Sequence, residues 1–143
     1  MDIERRFDRD MIKHFYTILI LLTYNFLCGQ SMVGFTYNEV VNKYRNENIK
    51  PMNSIYIGNN EIKSLMLERN DYRVTYIFNQ SNICTQSFIL VKNKRTLQEF
   101  IDFYNERYIY KGSDNWVTEK NILCIKLLNR ETVPEFQIKD CGN

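Results

Sequence analysis

Several residue types are rare or missing in this chain of 143 residues, which contains no alanine, two prolines and five glycines. The chain lacks alanine but is rich in asparagine, isoleucine, lysine and tyrosine, and this compositional bias is typical of an AT-rich genome. The five glycines are scattered, and none forms a GxGxxG or GxxxxGK pattern. The usual glycine-rich phosphate-binding loops are therefore excluded.

Histidine is almost absent, and the single one, His14, lies in the apolar N-terminal region. Imidazole is the commonest general base and a frequent metal ligand. A chain without its first 30 residues therefore cannot contain Ser-His-Asp, Cys-His or histidine-bearing zinc arrangements. We expect no catalytic residue, no metal site and no cofactor, and an enzyme that works without histidine is the alternative.

Charge and hydrophobicity limit the class of protein further. The formal net charge of +2, with 25% charged residues, argues against a nucleic-acid-binding arm. The 44% of hydrophobic residues is too high for a disordered chain. The length corresponds to about one domain, and we find no internal repeat, linker or low-complexity segment.

The longest apolar run, residues 15–27, has no charged side chain but is interrupted by Thr23 and Asn25. It is shorter than the roughly 20 apolar residues that span a bilayer. Lys13 before the run and the small residues that follow Leu27 match a secretory signal. We therefore predict a signal peptide over residues 1–30, a single domain over residues 31–143, and export to the periplasm or the extracellular medium.

Alternatives to this cleaved leader stay open. The acidic start "MDIERRFDRD" fits a signal poorly, so we expect that translation begins at Met11. Cys28 is a candidate lipidation site, although the bulky Leu27 before it departs from a lipobox. An uncleaved anchor and a buried soluble helix are the other possibilities. Contact with a membrane is expected only through an uncleaved leader or a lipidated Cys28.

Helix signals occur twice in the predicted domain. "GFTYNEVVNKYRNEN" has apolar residues at helical spacing, with Thr36 and Glu39 in a capping-box pattern. "KRTLQEFIDFYNERY" repeats that pattern with Thr96 and Glu99. Strands are predicted at residues 54–58, 61–68, 72–78, 83–91, 116–117, 121–128 and 135–138. Together these elements predict an α+β fold: an antiparallel sheet of about four to six strands, two helices packed on one face, and a hydrophobic leader helix before them.

Three cysteines remain after residue 30, and none is spaced as CxxC, which argues against a structural zinc site. Cys84 and Cys124 both lie in predicted strands, so they are a candidate disulfide in an oxidising compartment. Two buried free thiols are the alternative. Cys141 lies in a polar tail and could bond to Cys84, to Cys124 or to another molecule.

Two clusters in the predicted domain are candidate binding sites. Lys92, Lys94 and Arg95 precede the second helix, where free backbone N–H groups favour an anion. A solvated connection is the simpler interpretation. Aromatic side chains bracket the turn "KGSD" and are candidates for contact with a partner protein or a glycan. They are Tyr108, Tyr110 and Trp116.

The start of the predicted domain, "GFTYNEV", resembles small outer-membrane-assembly lipoproteins and β-lactamase-inhibitor-like domains. Those families place a helix before a sheet and act by binding proteins, so the resemblance implies binding rather than catalysis. We expect a small exported binding or interaction module of the cell envelope, with an envelope protein or glycan as partner and no nucleic acid. A small hydrolase or a ligand- or anion-binding protein is the alternative.

Overall fold

The computed structural model of the chain describes residues 31–120 and 122–142. The predictions of a signal peptide, of translation from Met11 and of lipidation at Cys28 lie outside the described residues. The described part contains two helices, α1 (Tyr37–Lys43) and α2 (Lys94–Arg107). Its strands are β1 (Ile49–Pro51), β2 (Ile55–Ile57), β3 (Asn60–Glu68), β4 (Tyr72–Phe78), β5 (Cys84–Val91), β6 (Ile109–Gly112), β7 (Asn115–Val117), β8 (Leu123–Leu128) and β9 (Glu135–Asp140).

Helix α1 begins as its sequence predicts. The Glu39 backbone N–H donates to Thr36 Oγ1 at 3.3 Å, and the Thr36 backbone N–H donates to Glu39 Oε2 at 2.7 Å. This reciprocal pair satisfies two N–H groups that a helix start would otherwise leave without a partner. The predicted capping box is therefore confirmed.

Helix α2 begins three residues earlier than its sequence pattern predicts. Asn93 is the N-cap, and its Oδ1 accepts a hydrogen bond from the Thr96 backbone N–H at 2.8 Å. The predicted cap at Thr96 is wrong, because Asn accepts this bond as readily as Thr and lies one turn closer to β5. The helix therefore starts almost directly after β5 ends.

The strands form one antiparallel sheet in the order β1-β3-β4-β5-β9-β8-β7-β6, and β2 also pairs with β3. β1 and β2 lie along the same edge of β3, at residues 65–67 and 60–62 respectively. The seam of the sheet is the pairing of β5 with β9, where Phe88 faces Gln137.

This strand order is symmetric about the seam. In the N-terminal half, which runs from α1 to β5, the strands β4, β3 and β1 follow β5 in order of distance from the seam. In the C-terminal half, which runs from α2 to β9, the strands β8, β7 and β6 follow β9 in the same way. Each half is thus a helix followed by a meander whose last strand joins the seam. The fold contains a topological repeat that the sequence does not reveal.

One face of the sheet, the inner face, packs against both helices. Tyr44 at the end of α1 stacks on Tyr76 with ring centroids 6.0 Å apart, and Phe100 and Tyr104 of α2 lie 5.5 and 5.0 Å from Phe136. Burial of each large apolar side chain contributes roughly 1.5–3 kcal/mol. The buried strand residues of this face include Leu65, Leu67, Val74, Tyr76, Phe78, Ile89, Trp116, Ile125, Leu127, Phe136 and Ile138.

The predicted fold class is wrong, because the chain is mostly one large sheet instead of a sheet of four to six strands. The prediction missed β1 and β6, which have three and four residues and lie at the two edges. Such short segments carry no alternation of apolar and polar residues, and they become strands only because a neighbouring strand offers free hydrogen-bonding groups.

Candidate interaction surface

The aromatic side chains predicted to contact a partner do not form one surface. Trp116 is 1% exposed, and its Nε1 donates to Asn105 Oδ1 at 2.8 Å. Tyr108 is half-buried against Phe103 and Tyr104 of α2. Tyr110 alone is well exposed, at 52%. The prediction is wrong for Trp116, because strand alternation in β7 directs its ring to the inner face.

The basic residues predicted to bind an anion are also separated. Lys92 forms an ion pair with Glu68 and donates to the Arg69 carbonyl at 2.6 Å. Arg95 pairs with Glu99 along the helix at 3.0 Å. Hydrogen bonds from Lys92, and then from Arg73, hold the pKa of Glu68 below its usual value. Two of the three predicted cations therefore already have carboxylate partners.

The disulfide joins Cys124 to Cys141, and Cys84 is a buried free thiol. The predicted Cys84–Cys124 pairing is therefore wrong. Cys84 pairs with Phe78 and lies on the inner face, whereas Cys124 alternates with the buried Ile125 and lies on the opposite face. Burial raises the pKa of the Cys84 thiol to about 12, so this sulfur remains protonated and is a poor nucleophile.

The outer face, opposite the helices, carries an apolar patch in the N-terminal half. Met66 of β3 and Phe88 of β5 both pair with Thr75 in the middle strand β4. Ile77 follows Thr75 by two residues in β4, and Leu90 follows Phe88 by two residues in β5. All five side chains are half-buried. We call Met66, Thr75, Ile77, Phe88 and Leu90 the outer patch. Both described helices pack on the inner face, so no described helix covers the outer patch.

The C-terminal half of the outer face is more polar, although Leu128 and Val117 also lie on it. Glu135, Gln137 and Lys139 of β9 point outward, as does the exposed Lys126 of β8. At the seam, Gln137 Nε2 donates to Gln86 Oε1 at 3.1 Å. The outer patch is therefore bordered on its seam side by amide and charged groups, with a cation at Lys126 beyond them.

Both edges of the sheet are poorly suited to pairing with another strand. Pro51 in β1 lacks a backbone N–H, and the pairing of β6 with β7 is irregular between Tyr110 and Gly112. Proline, irregular pairing and short strands are common means by which proteins block a sheet edge. The face of the sheet is thus more accessible to a partner than its edges.

A groove of about 380 Å³ opens at the end of the sheet, between the start of α2 and the β8–β9 turn. We call it the end groove. It adjoins the outer patch, because Leu90 belongs to both. Its lining comprises Leu90–Lys94, Leu97 and Arg130–Pro134.

Metal and membrane features are missing from the described part of the chain. Residues 31–120 and 122–142 contain no group of three His, Cys, Asp or Glu side chains arranged to hold a metal ion. No helix among them has the length and hydrophobicity needed to cross a bilayer.

Burial raises the pKa values of the Tyr76 and Tyr104 phenols, which lie in the core.

Comparison of the chain with protein-family models, with curated proteins and with solved structures found no match in any of the three. A function therefore has to be inferred from the surface itself. The sequence does contain one signal for the outer patch, although none of the predicted sites includes it. In β5 the four consecutive residues Phe88–Val91 are all apolar. An unbroken apolar run of this kind is typical of a strand with apolar side chains on both of its faces.

Proposed function

We propose that the protein is a binding module that docks a partner protein on the outer patch. The observation that carries the proposal is a group of apolar side chains in the middle of a sheet face that no described helix covers. Protein interfaces combine an apolar interior with a polar rim, and the outer patch with the polar groups around it has this arrangement. The resemblance of "GFTYNEV" to families that bind proteins agrees with this role.

The size of the outer patch suggests that it forms the centre of a larger contact. It extends over three strands, about 10 Å between the outer two, and over about 13 Å along the strand direction from Leu90 to Ile77, which gives at most roughly 130 Å². A standard interface buries about 800 Å² on each partner. The polar groups of the C-terminal half would then form part of the rim, as in most protein interfaces.

The charges around the outer patch favour an acidic partner. On the C-terminal half, the exposed Lys126 of β8 lies opposite the neutral Gln137 of β9. On the N-terminal half, the Arg73 guanidinium is already paired with Glu68 at 2.6 Å. A partner with carboxylates opposite Lys126 would be attracted, while a basic partner would be repelled.

We further propose that the protein acts after export, at the cell envelope or outside the cell. The Cys124–Cys141 disulfide supports this location, since disulfides persist mainly in oxidising compartments. N-terminal sequencing of the protein from its native source should begin close to Ser31. An intact chain with free thiols at Cys124 and Cys141, isolated from cytosol, would contradict this location.

The test of partner binding starts with a photo-crosslinking amino acid in place of Phe88. A matched chain carries the same group in place of Tyr56, which is 69% exposed on the edge strand β2. We expect an acidic protein to be crosslinked from Phe88 and not from Tyr56. A crosslinked homodimer would assign the surface to self-association and would overturn the proposal of a different partner.

Affinity measurements with the purified crosslinked protein complete the test. Phe88→Ser should weaken binding by at least tenfold, the effect of losing a central apolar contact. Tyr56→Ser should bind as the natural chain does. Both variants are measured at a temperature at which circular dichroism shows them folded. Equal affinities for the two variants would then show that the outer patch is not the docking surface.

A further inference from the structure

The end groove has apolar walls at the margin of the outer face. Leu90 and Leu97 are half-buried in it, and Val133 at the β8–β9 turn is 53% exposed. Pro134 follows Val133 and fixes the backbone of that wall. An aliphatic side chain entering the groove would cover these groups and remove apolar surface from water.

The rim of the end groove is cationic. Lys92, Lys94 and Arg130 line it, against one carboxylate at Glu131. Lys92 is held by Glu68, and Arg130 Nη1 lies 2.9 Å from Asp114 Oδ1. Lys94 has no ion-pair partner among residues 31–120 and 122–142. Its ammonium group is therefore the charge most available to a ligand carboxylate.

We infer that the end groove binds a segment of the partner in which an aliphatic side chain is followed by a carboxylate. The inference rests on the proposed function, because the groove continues from the outer patch through Leu90. The aliphatic group would lie against Leu97 and Val133, and the carboxylate would face Lys94. This arrangement would fix the orientation of the partner on the sheet, which the flat outer patch alone does not do.

The test uses two small peptides as probes for the partner segment. N-acetyl-leucyl-glutamate amide carries the aliphatic group and the carboxylate, and N-acetyl-leucyl-glutamine amide is the neutral control of the same shape. Each is titrated into the ¹⁵N-labelled full chain and followed by amide chemical shifts. We expect amide shifts centred on Leu90–Leu97 and Arg130–Val133, and a Kd at least threefold lower for the glutamate peptide.

Three variants of the chain sharpen the measurement. Lys94→Glu should remove the preference for the glutamate peptide, whereas Lys120→Glu, an exposed substitution between β7 and β8, should retain it. Val133→Asp should weaken both peptides. Equal Kd values for the two peptides on the natural chain, or shifts centred elsewhere, would overturn the inference.

Failure of this inference can be distinguished from failure of the proposed function. The peptides replace the partner, so the titration reports on the end groove whether or not the outer patch docks a protein. Partner binding that depends on Phe88, together with absent peptide binding, would overturn the role of the groove alone. Peptide binding without any partner crosslinked at Phe88 would overturn the role of the outer patch alone.

Discussion

The two halves of the molecule share one topology but differ in their helices and outer surfaces. In the N-terminal half, α1 has seven residues and the outer face carries the outer patch. In the C-terminal half, α2 has 14 residues, the outer face is more polar, and a disulfide joins β8 to the tail. A repeated arrangement of elements thus needs apolar residues on the inner face only. The outer face is free to differ, and the residues of the outer patch all lie in one half.

The longer second helix connects the halves. Phe100 of α2 lies 5.4 Å from Tyr72 in β4 and 5.5 Å from Phe136 in β9, so it contacts both sides of the seam. In contrast, the ring contacts of Tyr37 and Tyr44 are with Phe78 and Tyr76, which belong to the same half as α1. The C-terminal half therefore supplies the main aromatic contacts across the seam.

The largest effect is expected from removing the aromatic centre of that contact. Phe136→Ala should lower the free energy of unfolding by about 3–5 kcal/mol, because Phe136 is fully buried between α2 and the sheet. Phe88→Ala, on the outer face of the neighbouring strand, should cost only about 1 kcal/mol. Urea denaturation monitored by tryptophan fluorescence measures both. Similar losses would mean that the outer face is as tightly packed as the inner one.

Breaking the disulfide should have the next largest effect, and it should be confined to the C-terminal half. The bond closes a loop with a sequence separation of 17, which corresponds to about 3 kcal/mol in the chain-entropy model. In the Cys141→Ser variant, amide exchange should accelerate in β8 and β9 more than in β3 and β4. A reducing agent should alter the natural chain and leave this variant unchanged. Uniform acceleration of amide exchange across the whole sheet would contradict the expectation that the effect is confined to the C-terminal half.

A smaller effect is expected from the capping box of the N-terminal half. Thr36→Ala should lower the free energy of unfolding by about 1 kcal/mol, because the Glu39 backbone N–H loses its acceptor, Thr36 Oγ1, at the start of α1. Thermal unfolding of both chains at neutral pH measures the difference. Asn38→Ala, an exposed substitution within the same helix, is the matched control and should have little effect.

The same variant provides a pH test. The Thr36 backbone N–H, and then the Thr36 hydroxyl, hold the pKa of Glu39 below its usual value. A carboxyl with a lowered pKa in the folded state stabilises the fold above its unfolded pKa, and this contribution is lost as pH falls through the folded pKa. Thr36→Ala keeps the backbone N–H and removes only the hydroxyl, so the difference in stability between the natural chain and this variant should shrink in acid by the part that the hydroxyl contributes. A difference that grows in acid would contradict the assigned role of Glu39.

Local patterns were sufficient for much of the fold. The alternation of residues 72–78 predicted β4, and Thr36 with Glu39 predicted the start of α1. The start of α2 was missed because Asn93, rather than Thr96, caps it. The edge strands were missed because neighbouring strands create them. The candidate surface was missed for a related reason. Because β5 has apolar side chains on both of its faces, its sequence does not reveal which face the helices will cover.

The sequence by itself determined the positions of the central strands and both helices, since residue periodicity and capping act over a few residues. Only the tertiary structure decided that two meanders meet at β5 and β9, that Cys141 rather than Cys84 bonds to Cys124, and that Phe88 lies on the face away from the helices. These features depend on which distant segments pair and in what register. Register sets the face of every side chain in a strand, and no local pattern contains that information.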